Sequence, residues 1–408
     1  MFITKKNKVN ISCLLFLIIV VAVGSYSNTV KAMTFDEGLR KEVLGKHIQY
    51  LADQNGEMTI GDILKPENQK RFVQSEFDLP NMGFTKTAYW IKLEYTYKPK
   101  LILENKNLLL EVFYPLIDDI RFYSKDNSGD YDQVNMGDNK PFEFRPILHT
   151  NFLYPLEAKP ETTEVIYIRI KTSGSLRISM VLWDQMAFLE SDQAFQMLFG
   201  ICIGAVMVMV LYNLFLYLSI NDKTYIHYVM YSLSFVILQL SLEGVSFHYL
   251  WPGNPWMANY AIILWGGIFG FFLVSFARVL LKTKENFQKY DKFLIFMQTL
   301  SACLAISVFI VPYEITIRFF SIFVVLTSFT TFVTGILGIM KGMRTAKIYT
   351  LACMCFLLGI LIYVLMARGL LPYNYFTGHS GLFGAIAEVV FFSFALADKI
   401  NAERAEKD

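Results

Sequence analysis

The sequence predicts an all-β domain, built as an antiparallel sandwich, followed by a membrane all-α bundle of seven helices. Charged residues make up only 18% of the chain, against roughly 25% in soluble domains. Residues 195–397 are almost continuously apolar, whereas residues 33–194 are polar and mixed. Within the polar half, short stretches alternate between apolar and polar residues, as strands with one buried face do. These observations divide the chain into two regions.

Residues 1–32 have the pattern of a secretory signal peptide. Three lysines within the first ten residues precede an apolar stretch from Cys13 to Val23. Val30-Lys31-Ala32 then provides a cleavage site before Met33. An uncleaved signal anchor is the alternative, and it would leave the topology of the following segments unchanged.

Residues 33–184 form the predicted extracytoplasmic sandwich, which is long enough for one hydrophobic core. The stretches with the clearest period of two are Ala88–Tyr97, Glu164–Lys171 and Ser175–Trp183. Turn signals rich in Asn, Ser, Gly and Asp separate such stretches. The domain contains no cysteine, so no disulfide can stabilise it. Residues 185–194 are predicted to be a linker to the membrane region.

Seven apolar segments follow, and each is close to the roughly 20 residues that a helix needs to cross a bilayer. They lie at about 195–220, 224–242, 257–281, 293–312, 315–340, 346–367 and 380–397. The seven-helix domain is therefore predicted to cover residues 195–398. A short tail at 399–408 follows it.

The distribution of positive charge predicts the orientation in the membrane. Lys and Arg occur in the first, third and fifth loops between the helices and in the tail. The loops at 243–256 and 369–379 contain neither residue type. Because positively charged loops stay in the cytoplasm, we expect the β domain outside the cell and the tail inside. This orientation agrees with the export signal.

The sequence contains no recognisable catalytic or metal-binding pattern. His47 and His149 are isolated, and there is no nucleophile elbow, metal-ligand spacing or glycine-rich phosphate loop. The net charge is +2 and no long basic run occurs, so nucleic acid is not an expected partner. We therefore expect no enzyme activity, no cofactor and no metal site.

Four polar-face residues of the predicted strands are candidate ligand contacts. They are Trp90, Lys92, Arg169 and Arg177. Trp90 is a large aromatic residue that the strand pattern predicts to be exposed, where it could stack on a sugar or peptide ring. The alternative is that Trp90 covers a neighbouring strand or loop.

Two polar residues inside the predicted membrane helices are candidates for coupling the two ends of the bundle. They are Glu388, near the middle of the seventh helix, and Asn213 in the first. Polar groups at such depth are costly and are often functional. The small residues on the same helical face as Glu388 are Gly381, Gly384, Ala385 and Ala395. This face predicts that the carboxyl group lies inside the bundle; the alternative role for Glu388 is a hydrogen-bonding group that only stabilises packing.

Several strings along the chain carry a family resemblance. They include His47-Ile-Gln-Tyr-Leu-Ala-Asp53, Leu109-Leu-Glu-Val-Phe-Tyr-Pro115, Leu211-Tyr-Asn-Leu-Phe-Leu-Tyr217 and Ala395-Leu-Ala-Asp-Lys-Ile400. In this order they resemble the bacterial seven-transmembrane receptors with diverse intracellular signalling modules. The β domain is similar to the second extracellular domain type of these receptors. The resemblance covers residues 35 to 400 approximately.

The resemblance implies a jelly-roll-like sensor domain that binds carbohydrate-like or other small ligands in the periplasm. It also implies that the helices pass a signal to a cytoplasmic output domain. After Ala397 only eleven residues follow, so the output chemistry of the family is not carried over. We therefore expect a receptor of the bacterial inner membrane that reports to a separate cytoplasmic signalling protein, with a homodimer as one option for its assembly. The alternative is a transporter, or an accessory subunit of a transport complex.

Overall fold

The computed structural model describes residues 32–100, 104–126, 128–367, 370–371 and 374–405. Apart from Ala32, the predicted signal peptide at residues 1–32 lies outside the described part of the chain. The described residues divide into a β domain that ends at Asp184 and a helical bundle that begins at Gln185.

The β domain contains thirteen strands within its described residues. They are β1 (Met33–Phe35), β2 (Lys41–Val43), β3 (Ile48–Asp53), β4 (Val73–Gln74), β5 (Asn81–Phe84), β6 (Ala88–Tyr97), β7 (Lys106–Val112), β8 (Asp119–Lys125), β9 (Tyr131–Met136), β10 (Phe152–Ala158), β11 (Thr163–Lys171), β12 (Ser175–Arg177) and β13 (Met180–Asp184). Three short helical segments lie between them, at Ile60–Ile63, Pro66–Gln69 and Phe142–Phe144.

The strands form a sandwich of two larger sheets. The larger sheet has the order β4-β3-β6-β11-β8-β9, and β1 pairs with β6 in parallel. The smaller sheet has the order β10-β7-β13-β2, and β12 pairs with β5 in a separate ribbon. All pairs except β1 with β6 are antiparallel. The prediction of an antiparallel sandwich is confirmed.

Apolar residues from facing sides of the two sheets form the core of the sandwich. The larger sheet contributes Ile91, Leu93, Ile168 and Ile170, and the smaller contributes Leu108, Leu110, Phe152 and Leu182. These residues alternate along their strands, since successive side chains of a strand point to opposite faces. The period of two in the sequence therefore identified the core-facing side of β6 and β11.

Seven long helices follow within the described residues. They are α1 (Gln185–Ile220), α2 (Lys223–Leu242), α3 (Pro255–Leu280), α4 (Gln288–Ser307), α5 (Tyr313–Met340), α6 (Arg344–Ala367) and α7 (Ser380–Ala405). The short helices Val245–Tyr249, Thr283–Asn286 and Tyr375–Gly378 lie in the connections. All the long helices except α4 are long and apolar enough to cross a membrane. Lys289, Asp291 and Lys292 lie in the first turns of α4 and lower its hydropathy.

Residues 185–194, predicted to be a linker, are helical and form the start of α1. Strand β13 ends at Asp184, and α1 begins at the next residue. The Asp184 carboxylate accepts hydrogen bonds from the backbone N–H groups of Met186 and Ala187 at 3.0 and 3.3 Å, as a helix N-cap does. Ala187 and Phe188 then pack against Trp183, which stabilises the first turn on the sheet. Helix α7 likewise continues through the predicted start of the tail to Ala405.

Glycines allow α6 and α7 to pack closely. A Cβ atom added at Gly384 would lie 2.8 Å from the Cys355 carbonyl oxygen and 3.1 Å from the Cα of Gly359. No larger residue fits such a backbone contact, which is a common use of glycine between membrane helices. The small-residue face predicted on α7 therefore faces a neighbouring helix at this position.

Candidate functional site

The β domain sits directly on one end of the helical bundle. The Asn259 amide at the start of α3 donates hydrogen bonds to Asp138 at 3.3 Å and to Asn139 at 3.1 Å. The Phe142 backbone N–H donates to the Pro252 carbonyl at 2.9 Å. These contacts hold the domain in one orientation above the helices.

A cavity of about 550 Å³ lies between the smaller sheet and the helices. We call it the polar cavity. Its walls in the β domain include Lys41, Glu111, Asn151 and Trp183. Its walls in the bundle and its loops include Asp192, Phe195, Glu243, His248 and His379. Both parts of the molecule therefore build one cavity.

Glu111 is the central polar group on the sheet side of the polar cavity. Its carboxylate accepts hydrogen bonds from the Asn151 amide and from the Trp183 indole N–H, both at 2.7 Å. Only 7% of Glu111 is exposed, and this burial raises the pKa of its carboxyl group although the two hydrogen bonds oppose the shift. Nearby, His149 Nε2 lies 3.1 Å from an Asp192 oxygen of α1. The cavity can thus offer donors and acceptors to a small polar molecule.

A second cavity of about 450 Å³ continues between α2, α3, α5, α6 and α7. We call it the apolar cavity, because aromatic and aliphatic side chains dominate its walls. The two cavities share Phe113, Pro115, Glu243 and His379 in their linings. At the domain end of the apolar cavity, Arg177 of β12 donates a hydrogen bond to the Tyr363 hydroxyl of α6.

Glu388 lies one turn beyond Ala385, which lines the apolar cavity. Its carboxylate accepts a hydrogen bond from the Tyr231 hydroxyl of α2 at 2.8 Å, and only 1% of the residue is exposed. The ring of Phe269, also in the cavity wall, lies 5.1 Å from the Tyr231 ring. The cavity is therefore connected to Glu388 through packed side chains.

Asn213 makes a similar connection between α1 and α7. Its amide donates hydrogen bonds to the Ser393 hydroxyl at 3.2 Å and to the Met209 carbonyl at 2.8 Å. The residue is 1% exposed. Both predicted coupling residues thus form polar contacts between α7 and another helix.

At the end of the bundle far from the β domain, α7 is bound to the loop between α1 and α2. The Lys399 ammonium group contacts an Asp222 oxygen at 2.5 Å and the Thr224 hydroxyl at 2.7 Å. In the preceding residue, Asp398 pairs with Arg344 of α6 at 2.9 Å. A movement of α7 along its axis would have to break or stretch these contacts.

Comparison with known families accounts for both halves of this arrangement. Residues 195–399 match the family model described as 7TM diverse intracellular signalling. The chain belongs to this family. Residues 45–184 match the model described as 7TMR-DISM extracellular 2. A search of curated proteins gave no significant match. The protein is therefore a membrane sensory receptor with an extracellular sensor domain.

Trp90 of the receptor is buried, so the prediction that this side chain is exposed is wrong. It is 0% exposed and packs with Leu51 and Ile63 on the outer face of the larger sheet. Its ring stacks on that of Tyr123 with 5.3 Å between centroids. The segment with the first two short helices covers this face, which is the alternative that the sequence left open.

Lys92 and Arg169 lie on the same outer face as Trp90, and Arg169 is its direct partner on β11. Lys92 forms an ion pair with Glu94 at 2.6 Å. Arg169 pairs with Asp119 at 2.8 Å. The structure thus brings three of the four predicted ligand contacts together, but their polar groups bind other parts of the domain. Arg177 lies apart from them, at the apolar cavity.

The residues of the polar cavity were not among the predicted ligand contacts. Glu111 carried a signal, since it is a carboxylate within the otherwise apolar strand sequence Leu108-Leu-Leu-Glu-Val112. The sequence gives no comparable signal for Asn151, His149 and Asp192, because only the fold brings these residues near Glu111.

Proposed function

We propose that this receptor binds a small, carbohydrate-like ligand in the polar cavity and reports its presence at the other side of the bacterial inner membrane. The observation that supports this proposal is that the sensor domain and the helices line the same cavity. A ligand shifts a conformational equilibrium only when it binds the two states with different affinity. The polar cavity has one wall in the sensor domain and one in the helices, so it changes shape whenever the two move relative to each other. A ligand in this cavity therefore binds the two states with different affinity.

Helix α7 is the proposed output element. It lines the apolar cavity near its start and directly follows His379, which lines both cavities. It also carries Glu388, and its far end includes Lys399, which contacts Asp222. Glu388 and Asn213 are the proposed coupling residues, because the first joins α7 to α2 and the second joins α7 to α1. A separate cytoplasmic signalling protein would then recognise the state of the α7 end.

Calorimetric titration of the full chain in lipid nanodiscs tests the ligand site. The probes are neutral and acidic mono- and oligosaccharides. Asp192→Asn weakens a charge-assisted hydrogen bond to the ligand, and such a bond contributes about 1.5–3 kcal/mol, so we expect roughly a tenfold or greater loss of affinity. Lys92→Gln is the matched control, because Lys92 lies on the covered face of the other sheet. An equal loss of affinity in both variants would place the ligand site elsewhere. In a separate assay, uptake of sugar into proteoliposomes would favour the transporter alternative.

A further inference from the structure

The apolar cavity is a pocket within the membrane half of the receptor that the proposed sugar site does not use. Its volume of about 450 Å³ falls within the roughly 300–1,000 Å³ of small-molecule sites. The walls include Phe235, Leu238, Phe269, Phe320, Phe356 and Ile360. A cavity with such walls is unfavourable for water, so its chemistry suits a hydrocarbon chain.

Arg177 supplies a positive charge at the domain end of this cavity. Its guanidinium group lies 5.6 Å from the Tyr114 ring centroid and 5.1 Å from that of Tyr363. Its Nε atom is buried and has no hydrogen-bond partner in the described part of the chain. Among the described residues, no carboxylate forms an ion pair with Arg177. A half-buried guanidinium without a carboxylate partner favours an anionic ligand, which it can bind through paired N–H groups.

Glu243 and His379 are the other titratable groups at the boundary of the two cavities. The Gln239 amide donates a hydrogen bond to the Glu243 carboxyl at 3.4 Å. Burial raises the pKa of Glu243, an effect that His379 opposes. The positive charge of Arg177 therefore faces a carboxyl group that takes up a proton more readily than an exposed one.

We propose that the apolar cavity binds an anionic single-chain amphiphile. The hydrocarbon chain lies between the five helices, and a carboxylate or phosphate head group pairs with Arg177. The end of the chain then approaches Phe269 and so reaches the packing around Tyr231. Binding of the amphiphile does not require a ligand in the polar cavity, so each site can be tested without the other.

Gly381 offers a way to block the cavity without disturbing the packing of α7. It lines the cavity, and a Cβ atom added there would meet no atom within 4 Å. Gly381→Leu should therefore place its side chain in the open space. Gly204→Leu is the matched control, because Gly204 on α1 also has no atom within 4 Å of an added Cβ but faces outward from the bundle.

Native mass spectrometry of the full chain, released from uncharged detergent micelles, measures the bound amphiphile directly. The probes are palmitate and hexadecanol, which share a chain and differ in charge. We expect palmitate to bind at least tenfold more tightly than hexadecanol. Arg177→Gln should remove this preference, Gly381→Leu should abolish binding of both probes, and Gly204→Leu should change neither.

A second preparation in phosphatidylglycerol, without added palmitate, identifies the source of the ligand. A retained phosphatidylglycerol that Gly381→Leu removes would show that the cavity takes a two-chain bilayer lipid and would overturn the single-chain occupant, whereas retention of added palmitate alone would support it. If Arg177→Gln fails to fold, the comparison of wild type with Gly381→Leu still tests whether the probes bind in the apolar cavity. Equal binding to wild type and Gly381→Leu, or no preference of the wild type for the charged probe, would overturn the proposal.

Discussion

The Tyr231 hydroxyl of α2 donates a hydrogen bond of 2.8 Å to the buried Glu388 carboxylate of α7. Within the described residues this is the one hydrogen bond that a side chain makes to Glu388. It joins α2, which ends beside the cavities, to α7, the proposed output helix. A polar pair in a low-dielectric interior is costly when only half of it remains. The arrangement at Glu388 should therefore control both the stability of the bundle and its response.

Tyr231→Phe should destabilise the bundle by about 1–3 kcal/mol, because it leaves the buried Glu388 carboxyl without its donor. The same substitution should cost less when Glu388 is already Leu, since no polar group is then left unsatisfied. A double-mutant cycle by reversible unfolding in mixed micelles measures the coupling, which we expect to be about 0.5–3 kcal/mol. Strictly additive losses would show that the two side chains do not act as a pair.

Lys399→Met should release the far end of α7, because it removes the contacts with Asp222 and Thr224. A spin label at position 401 should become more mobile in this variant. Arg344→Met is the control: it removes the ion pair of the neighbouring Asp398, but the Arg344 side chain is mostly exposed and such pairs contribute little. If both variants change the label equally, Lys399 has no special role.

Glu111→Gln should remove part of the pH dependence of stability. Burial raises the pKa of Glu111 above its ordinary value of 4.5, so between that value and the folded pKa the native state binds more protons than the unfolded state. The free energy of unfolding of the wild type should therefore fall as pH rises through this window. Thermal unfolding of wild type and variant at several pH values checks the slope. Identical slopes would mean that Glu111 titrates normally in the folded protein.

Residues 33–184 should fold when they are expressed alone. The sandwich core is formed by its own two sheets, and the segment contains no cysteine, so reducing agents should leave its circular dichroism unchanged. Exposure of Phe142, which contacts Phe247 of the bundle in the full chain, should make the fragment somewhat less soluble. A spectrum without strand signal would contradict this prediction.

A cysteine at Gly253 should react with a membrane-impermeant reagent added outside the cell, and one at Glu285 should not. Both positions are exposed in connecting loops, and a side chain at Gly253 would meet no atom within 4 Å. The native cysteines are first replaced by serine. The expected pattern follows from the absence of Lys and Arg in the second loop and their abundance in the third. The reverse labelling would invert the orientation proposed for the receptor.

The sequence was sufficient to predict the features that depend on periodicity and composition. The alternation in β6 and β11 indicated a sandwich, and each predicted apolar segment overlaps one of the seven long helices. The segment at 293–312 extends five residues beyond the end of α4 at Ser307. Glu388 was predicted to lie inside the bundle because small residues share its helical face, and this prediction is confirmed by its burial.

Features that depend on what covers a surface could not be predicted. Trp90 lies on the polar face of its strand, but the short helices near Ile63 cover that face, and no pattern within β6 shows this. The polar cavity combines Glu111 with Asp192, which are 81 positions apart by number and meet only after α1 packs on the smaller sheet. Residues 185–194, predicted to be a linker, belong to the polar and mixed half of the sequence, and the structure shows them as the start of α1, capped by Asp184.

The direct passage from β13 into α1 has a consequence for the angle of the sensor domain. Helix α1 has 36 residues, hence a length of about 54 Å, well beyond the roughly 30 Å of a bilayer core. With no loop at the junction, the orientation of the sheet around the helix axis is fixed by the number of residues in α1. One inserted residue would turn the domain by about 100° and pull apart both walls of the cavities, whereas seven would return it almost to its starting direction, about 10 Å higher. The receptor is thus sensitive to helical phase at this junction in a way that a flexibly linked sensor would not be.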